Sequence, residues 1–122
     1  MRILVLNPGS TSTKLALFDG NQLVMAENLS HLAAELEACG SVMNQYNLRK
    51  EAVLDFLLTK NITLSSLIAI VGRGGLTKPL AGGTYQINER MLEDLRSGKW
   101  GEHASNLGPI LAYELAQEAG GI

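Results

Sequence analysis

This chain has very little cysteine, proline or aromatic residue. Of 122 residues one is cysteine, three are proline and 5% are aromatic. A single cysteine, Cys39, excludes an intrachain disulfide and cannot build a thiolate metal cluster. Read alone, it is a small buried apolar residue. Neither sign of charge dominates: the formal net charge is −2, so the balance indicates no nucleic-acid partner and no acidic membrane surface. Long apolar runs are also missing. The run after Arg2 is Ile3-Leu4-Val5-Leu6, and it stops at Asn7. That is too short for the core of a secretion signal, and no run approaches a membrane span of ~20 residues. There is no repeat, low-complexity tract or linker. Hydrophobic residues make up 46% and charged residues 18%. That is enough for one packed domain and is the composition expected of a cytoplasmic protein.

The richest chemistry lies in Asn7-Pro8-Gly9-Ser10-Thr11-Ser12-Thr13-Lys14. It separates Ile3-Leu4-Val5-Leu6 from Leu15-Ala16-Leu17-Phe18, two short apolar runs bounded by turn residues, which read as strands. Pro8-Gly9 sets the turn, because proline fixes its own φ and glycine tolerates values that other residues avoid. A hairpin tip carrying hydroxyls, turn amides, a carboxamide and an ammonium can cradle phosphate and Mg²⁺. It is not a P-loop. No glycine precedes Lys14, Leu15 follows it, and the downstream segment is a strand where a P-loop would open a helix. On residue chemistry alone, a polar hairpin without a ligand remains an equal reading.

Further along, Asp19-Gly20-Asn21 is a tight-turn signal leading to a third strand over Gln22–Leu29. Three strands in succession predict an antiparallel meander. Ser30 is read as a helix N-cap. Helical patterning then runs from His31 to about Lys60, broken near Gly40-Ser41, with Tyr46, Val53, Leu54, Leu57 and Leu58 near one face. Asn61 stops it. Leu67–Val71 reads as a buried strand, parallel to its neighbour because a helix precedes it. Residues 72–83 form a glycine-rich loop, and Thr84–Ile87 reads as a short strand. Asn88 caps a helix over Glu89–Ser97. Ser105 or Asn106 opens a last helix that tolerates Pro109 in its first turn. That helix is apolar on most sides through Ala116, so cover from elsewhere is expected, and self-association with it. His31 has no motif around it and reads as a surface or helix-start residue.

The segment from Ile3 to Phe18 resembles the first phosphate loop of the acetate/butyrate kinase family. Three later runs are similar to the butyrate branch of that family. They are Val71-Gly72-Arg73-Gly74-Gly75-Leu76-Thr77-Lys78-Pro79-Leu80, Gly82-Gly83-Thr84-Tyr85-Gln86-Ile87-Asn88, and Leu95 through Gly108 with Trp100, His103 and Ser105. The resemblance spans the whole chain. It implies an α/β fold of the ribonuclease H-like, actin-like ATPase class, with a mixed sheet that starts as a three-strand antiparallel meander flanked by helices. It also implies an enzyme, a kinase transferring phosphate between ATP and butyrate with Mg²⁺.

Carried over residue by residue, the resemblance implies cofactor contacts at Asn7, Gly9, Ser10, Thr11, Ser12 and Lys14. Asn7 would lie near Mg²⁺, and Lys14 would be the nucleotide-site lysine. Arg73 is assigned to the acyl substrate, since a guanidinium grips a carboxylate bidentately and flanking glycines admit ligand. Its plainer reading is a solvated loop arginine or an ion pair. His103, just ahead of the last helix, is assigned to phosphate or acyl contact; its plainer reading is a structural loop histidine. Residues 1–122 would then be an N-terminal acetokinase-type domain without its second domain. A fragment of this kind is expected to have little activity alone, because the family's catalytic aspartate and adenine loops would lie beyond residue 122. Expected partners are butyrate and ATP or ADP. Apolar surface on the last helix predicts self-association, as a homo-oligomer, or marginal stability, and no oligomeric state can be read from the sequence. Alternatives are an acetate, propionate or branched-chain fatty acid kinase, or a non-catalytic ligand-binding remnant.

Overall fold

The computed structural model describes residues 1–122. Its strands are β1 (Arg2–Pro8), β2 (Ser12–Asp19), β3 (Gln22–Ser30) and β4 (Leu67–Gly72). Its helices are α1 (Ala33–Cys39), α2 (Tyr46–Thr59), α3 (Glu89–Ser97) and α4 (Leu107–Glu118). The sheet order is β3-β2-β1-β4. β1 pairs antiparallel with β2, and β2 with β3, while β4 returns parallel to β1. The two tight turns leave no room for anything but antiparallel pairing. β4 arrives after α1 and α2, and such a crossover delivers a parallel strand.

Alternation in β1 and β2 decides which face meets the helices. Leu4 and Leu6 of β1 and Leu15 and Leu17 of β2 are at most 3% exposed and point to one side. Each contributes about 2 kcal/mol by leaving water. α2 and α4 cover that side. In α2 the residues Arg49, Val53 and Leu57 recur every fourth position and are the buried stripe. Leu58, expected on this face, is 76% exposed. One residue past Leu57 is a rotation of ~100° about the helix, which carries it into solvent.

The last helix finds its cover within the chain. Ile110, Leu111, Ala112 and Leu115 of α4 are buried, and α4 packs against β1, β4, α2 and α3. A helix that is apolar on most sides is what the centre of a packed layer requires. The inference of an uncovered last helix is therefore corrected.

Other boundaries differ from expectation in instructive ways. Ser30 caps no helix; it pairs with Ser12 at the end of β3, and Leu32 occupies the N-cap of α1 without a side-chain bond. Thr84–Ile87 is no strand. The segment follows Gly82-Gly83 and joins none of the sheet's strands, and Ile87 instead packs against the core just before α3. Asn88 does cap α3: its side-chain oxygen accepts from the Met91 amide at 2.9 Å. Asn61, with φ +57°, turns the chain out of α2. No helix is long and apolar enough to cross a membrane.

Candidate functional site

The face of the sheet opposite α2 and α4 carries the polar residues of the hairpin. Pairing across antiparallel strands puts partners on the same side. Asn7 pairs with Lys14, and Lys14 with Asn28, so these three form one row across β1, β2 and β3. β4 extends the row. Gly72 pairs with Leu6, and the Arg73 amide donates to the Leu6 carbonyl at 2.8 Å, which brings Arg73 beside Asn7. Asn7, Lys14, Asn28 and Arg73, with Val5 and Ala16 beneath them, line an open recess of about 540 Å³. Lys14 and Arg73 are exposed, and the ion pairs of the chain (Met1 amino group with Asp19, Lys50 with Glu118, Arg96 with Glu114) involve neither. Two cations without an ion-pair partner, two carboxamides and the Glu27 carboxylate thus share one concave surface.

The hairpin tip borders this recess. The Gly9 amide donates to the Ser12 carbonyl at 2.7 Å and closes the turn. Ser10 and Thr11 are exposed and Ser12 is half-buried. Behind the tip lies Arg49, which is 0% exposed. Its Nη1 donates to the Ser12 carbonyl at 2.9 Å and to Thr13 Oγ1 at 3.1 Å. Its Nη2 reaches the Ser10 carbonyl at 3.5 Å, and Gln45 Oε1 accepts from both Nε and Nη2. Thr13 Oγ1 also meets His31 Nε2 at 2.8 Å, and the His31 amide donates to the Thr11 carbonyl at 3.0 Å. Of the two readings of His31, surface or helix start, the first is corrected: it lies just before the N-cap of α1, is half-buried and braces the tip. The Thr13 oxygen already accepts from Arg49, so its own proton is free to donate to a neutral imidazole.

Burial, and after it the charge of Arg49, lower the His31 pKa from 6.5, with Glu35 opposing weakly. A folded-state pKa below the unfolded one means that the unfolded chain takes up the proton first. Stability is then full above the unfolded value of about 6.5 and falls as pH drops through the folded value. The urea midpoint of the wild-type chain is expected to fall between pH 7.5 and pH 5.5, and the acid loss is expected to shrink in His31→Gln. An equal loss in both would remove His31 from this account.

A second junction fixes the exit of β4. Gly72 and Gly108 approach so closely that a Cβ on Gly72 would lie 2.4 Å from the Gly108 carbonyl carbon. A Cβ on Gly108 would lie 2.7 Å from the Arg73 carbonyl oxygen and 3.2 Å from Pro8 Cδ. The start of α4, the end of β4 and the end of β1 are thus held in one place by the absence of side chains. Asn106, 0% exposed, locks the following loop: its Oδ1 accepts from the Leu76 amide at 2.8 Å and its Nδ2 donates to the Gly101 carbonyl at 2.9 Å. His103 lies at the entrance to the 3-10 turn Ala104–Asn106, where its Nδ1 accepts from the Ser105 amide at 3.0 Å. It caps that turn and is not among the residues lining the recess.

The donor set suits a polyphosphate. Lys14 and Arg73 supply positive charge, the tip supplies amides and hydroxyls, and Asn7 offers a carboxamide oxygen. No group of three His, Cys, Asp or Glu side chains converges anywhere in the chain. A magnesium ion here would be held mainly by phosphate oxygens and water, with Asn7 as the protein's contribution.

Strand order, the parallel return of β4 and the helices behind the sheet define an α/β unit of the ribonuclease H-like, actin-like class. No protein-family model matches the chain. Over 117 residues it is 50% identical to butyrate kinase 1 of Clostridium acetobutylicum, covering 96% of this chain and 33% of that protein. Over 119 residues it is 48% identical to butyrate kinase 2 of the same organism, covering 98% of this chain and 33% of that protein. By sequence the chain is similar to the N-terminal part of these butyrate kinases. It spans about one third of the length of these curated relatives.

Proposed function

We propose that this chain provides the phosphate- and carboxylate-facing part of a carboxylate kinase acting on butyrate, in which ATP and butyrate give ADP and butyryl phosphate. The observation that carries this reading is the cross-strand row that sets Asn7, Lys14 and Arg73 on one open face, together with the sequence relation to butyrate kinases. The transfer forms a bond between a carboxylate oxygen and the γ-phosphorus and breaks the bond to the bridging oxygen of ADP. Little covalent help is needed from protein; positioning and charge stabilisation carry the rate. Lys14 would neutralise charge on the phosphates, Arg73 would hold the carboxylate, and Asn7 would help to hold Mg²⁺, which when bound would offset charge on the transferring group. His103 holds the turn that leads into α4.

The test is acyl phosphate formation by this chain from Mg·ATP and a panel of short carboxylates, trapped as hydroxamates. Low but measurable turnover with butyrate preferred, and a carboxylate KM raised by Arg73→Ala, is the expected result. Preference for acetate, propionate or a branched acid would move the assignment within the class. No turnover, combined with binding of Mg·ADP, would leave a ligand-binding part of such an enzyme. No turnover and no nucleotide binding would overturn the reading.

A further inference from the structure

We propose that Arg49, which touches no solvent and no substrate, is the positioning residue of the β1–β2 tip: it draws the tip's carbonyls inward and thereby turns an amide outward to meet phosphate. This rests on the reading of the recess as a phosphate site. Every acceptor around the guanidinium is neutral: the Ser10 and Ser12 carbonyls, Thr13 Oγ1 and Gln45 Oε1. No carboxylate pairs with it. Arginine stays protonated even where burial lowers its pKa, as here. A buried cation without a counter-ion is costly, so its retention in the core calls for a compensating gain.

The geometry shows where that gain lies. In a trans peptide the carbonyl and the following amide point in opposite directions. With the Ser10 carbonyl turned toward Arg49, the Thr11 amide is turned away from it. The Ser12 carbonyl is held at two points, by Arg49 and by the Gly9 amide. The guanidinium fork reaches carbonyls two residues apart, which a single ammonium cannot do at once. Its positive charge also lies directly behind the tip, in a medium of low dielectric where it attracts an anion on the far side more strongly than it would through water. Gln45 and the Thr13–His31 pair keep the fork from turning.

The experiment follows the amide resonances of Gly9–Lys14 in the 122-residue chain during titration with inorganic tripolyphosphate and Mg²⁺. Wild type should show saturable shifts at the tip. Arg49→Lys keeps the charge but not the fork and should raise the Kd roughly threefold, while Arg49→Met, which keeps volume only, should raise it about tenfold or more. Partial rescue by lysine separates a role in anion binding from mere packing, which methionine would satisfy as well as lysine. Thermal melting confirms that each variant is folded; if Arg49→Met is not, the lysine variant decides alone. A folded variant of either kind with the wild-type Kd overturns the role of Arg49 and leaves the phosphate site standing. Absence of binding by wild type overturns the phosphate site itself, and this role with it.

Discussion

Gly72→Ala is expected to cost this chain on the order of 3 kcal/mol of stability, at the upper end for an overpacked core. The added methyl would lie 2.4 Å from the Gly108 carbonyl carbon and oxygen and 2.5 Å from the Pro109 nitrogen. These are backbone atoms at the buried start of α4, so no rotamer change relieves the clash. Either α4 slides off β4 or β4 leaves β1. α4 carries much of the core, in Leu107, Ile110, Leu111 and Leu115. Domains of this size have only about 5–15 kcal/mol of net stability. A melting temperature lower by roughly 10 °C is the expected reading. Gly82→Ala is the control, since a Cβ there meets nothing within 4 Å. A Gly72→Ala chain melting with wild type would show that the interface between β4 and α4 gives way more easily than its geometry implies.

Lys14→Ala is expected to weaken Mg·ADP binding roughly 10- to 100-fold, the range for losing a charge-assisted hydrogen bond. Lys14 is exposed and has no ion-pair partner, so its removal leaves no buried group stranded and the fold intact. The loss should therefore appear in calorimetric affinity and not in the melting temperature of the free chain. Lys60→Ala, at the far end of α2, is the control for general charge. An unchanged Kd for Lys14→Ala would remove the lysine from the site and leave Arg73 as the only cation lining the recess.

What could be read from the sequence was local. Pro8-Gly9 and Asp19-Gly20-Asn21 announce turns through their own backbone preferences, so β1, β2 and β3 follow from them. Asn88 announces α3 because capping needs only residues three apart. Once the strands are placed, the pairing of Asn7 with Lys14 follows from the hairpin register. What could not be read depends on distant contacts. Arg49 stands between Leu48 and Lys50 and looks like any helix arginine, yet its partner Ser12 is 37 positions away. His31 is bound to Thr13 in the same non-local way. Gly72 and Gly108 each look like ordinary loop glycines until the two backbones are seen to touch. Thr84–Ile87 has strand composition, but a strand exists only beside another strand.

Within residues 1–122 the two outer strands of the sheet carry little charge. β3 and β4 are its outermost strands. Edge strands are usually blunted by lysine, proline or inward charge. β3 reads Gln22-Leu23-Val24-Met25-Ala26-Glu27-Asn28-Leu29-Ser30, with one charge in nine residues, and β4 reads Leu67-Ile68-Ala69-Ile70-Val71-Gly72, with none. Leu23 and Val24 are 54% and 49% exposed, and Ile68 is 51% exposed. Each rim is a ready template on which another extended chain can add by backbone pairing.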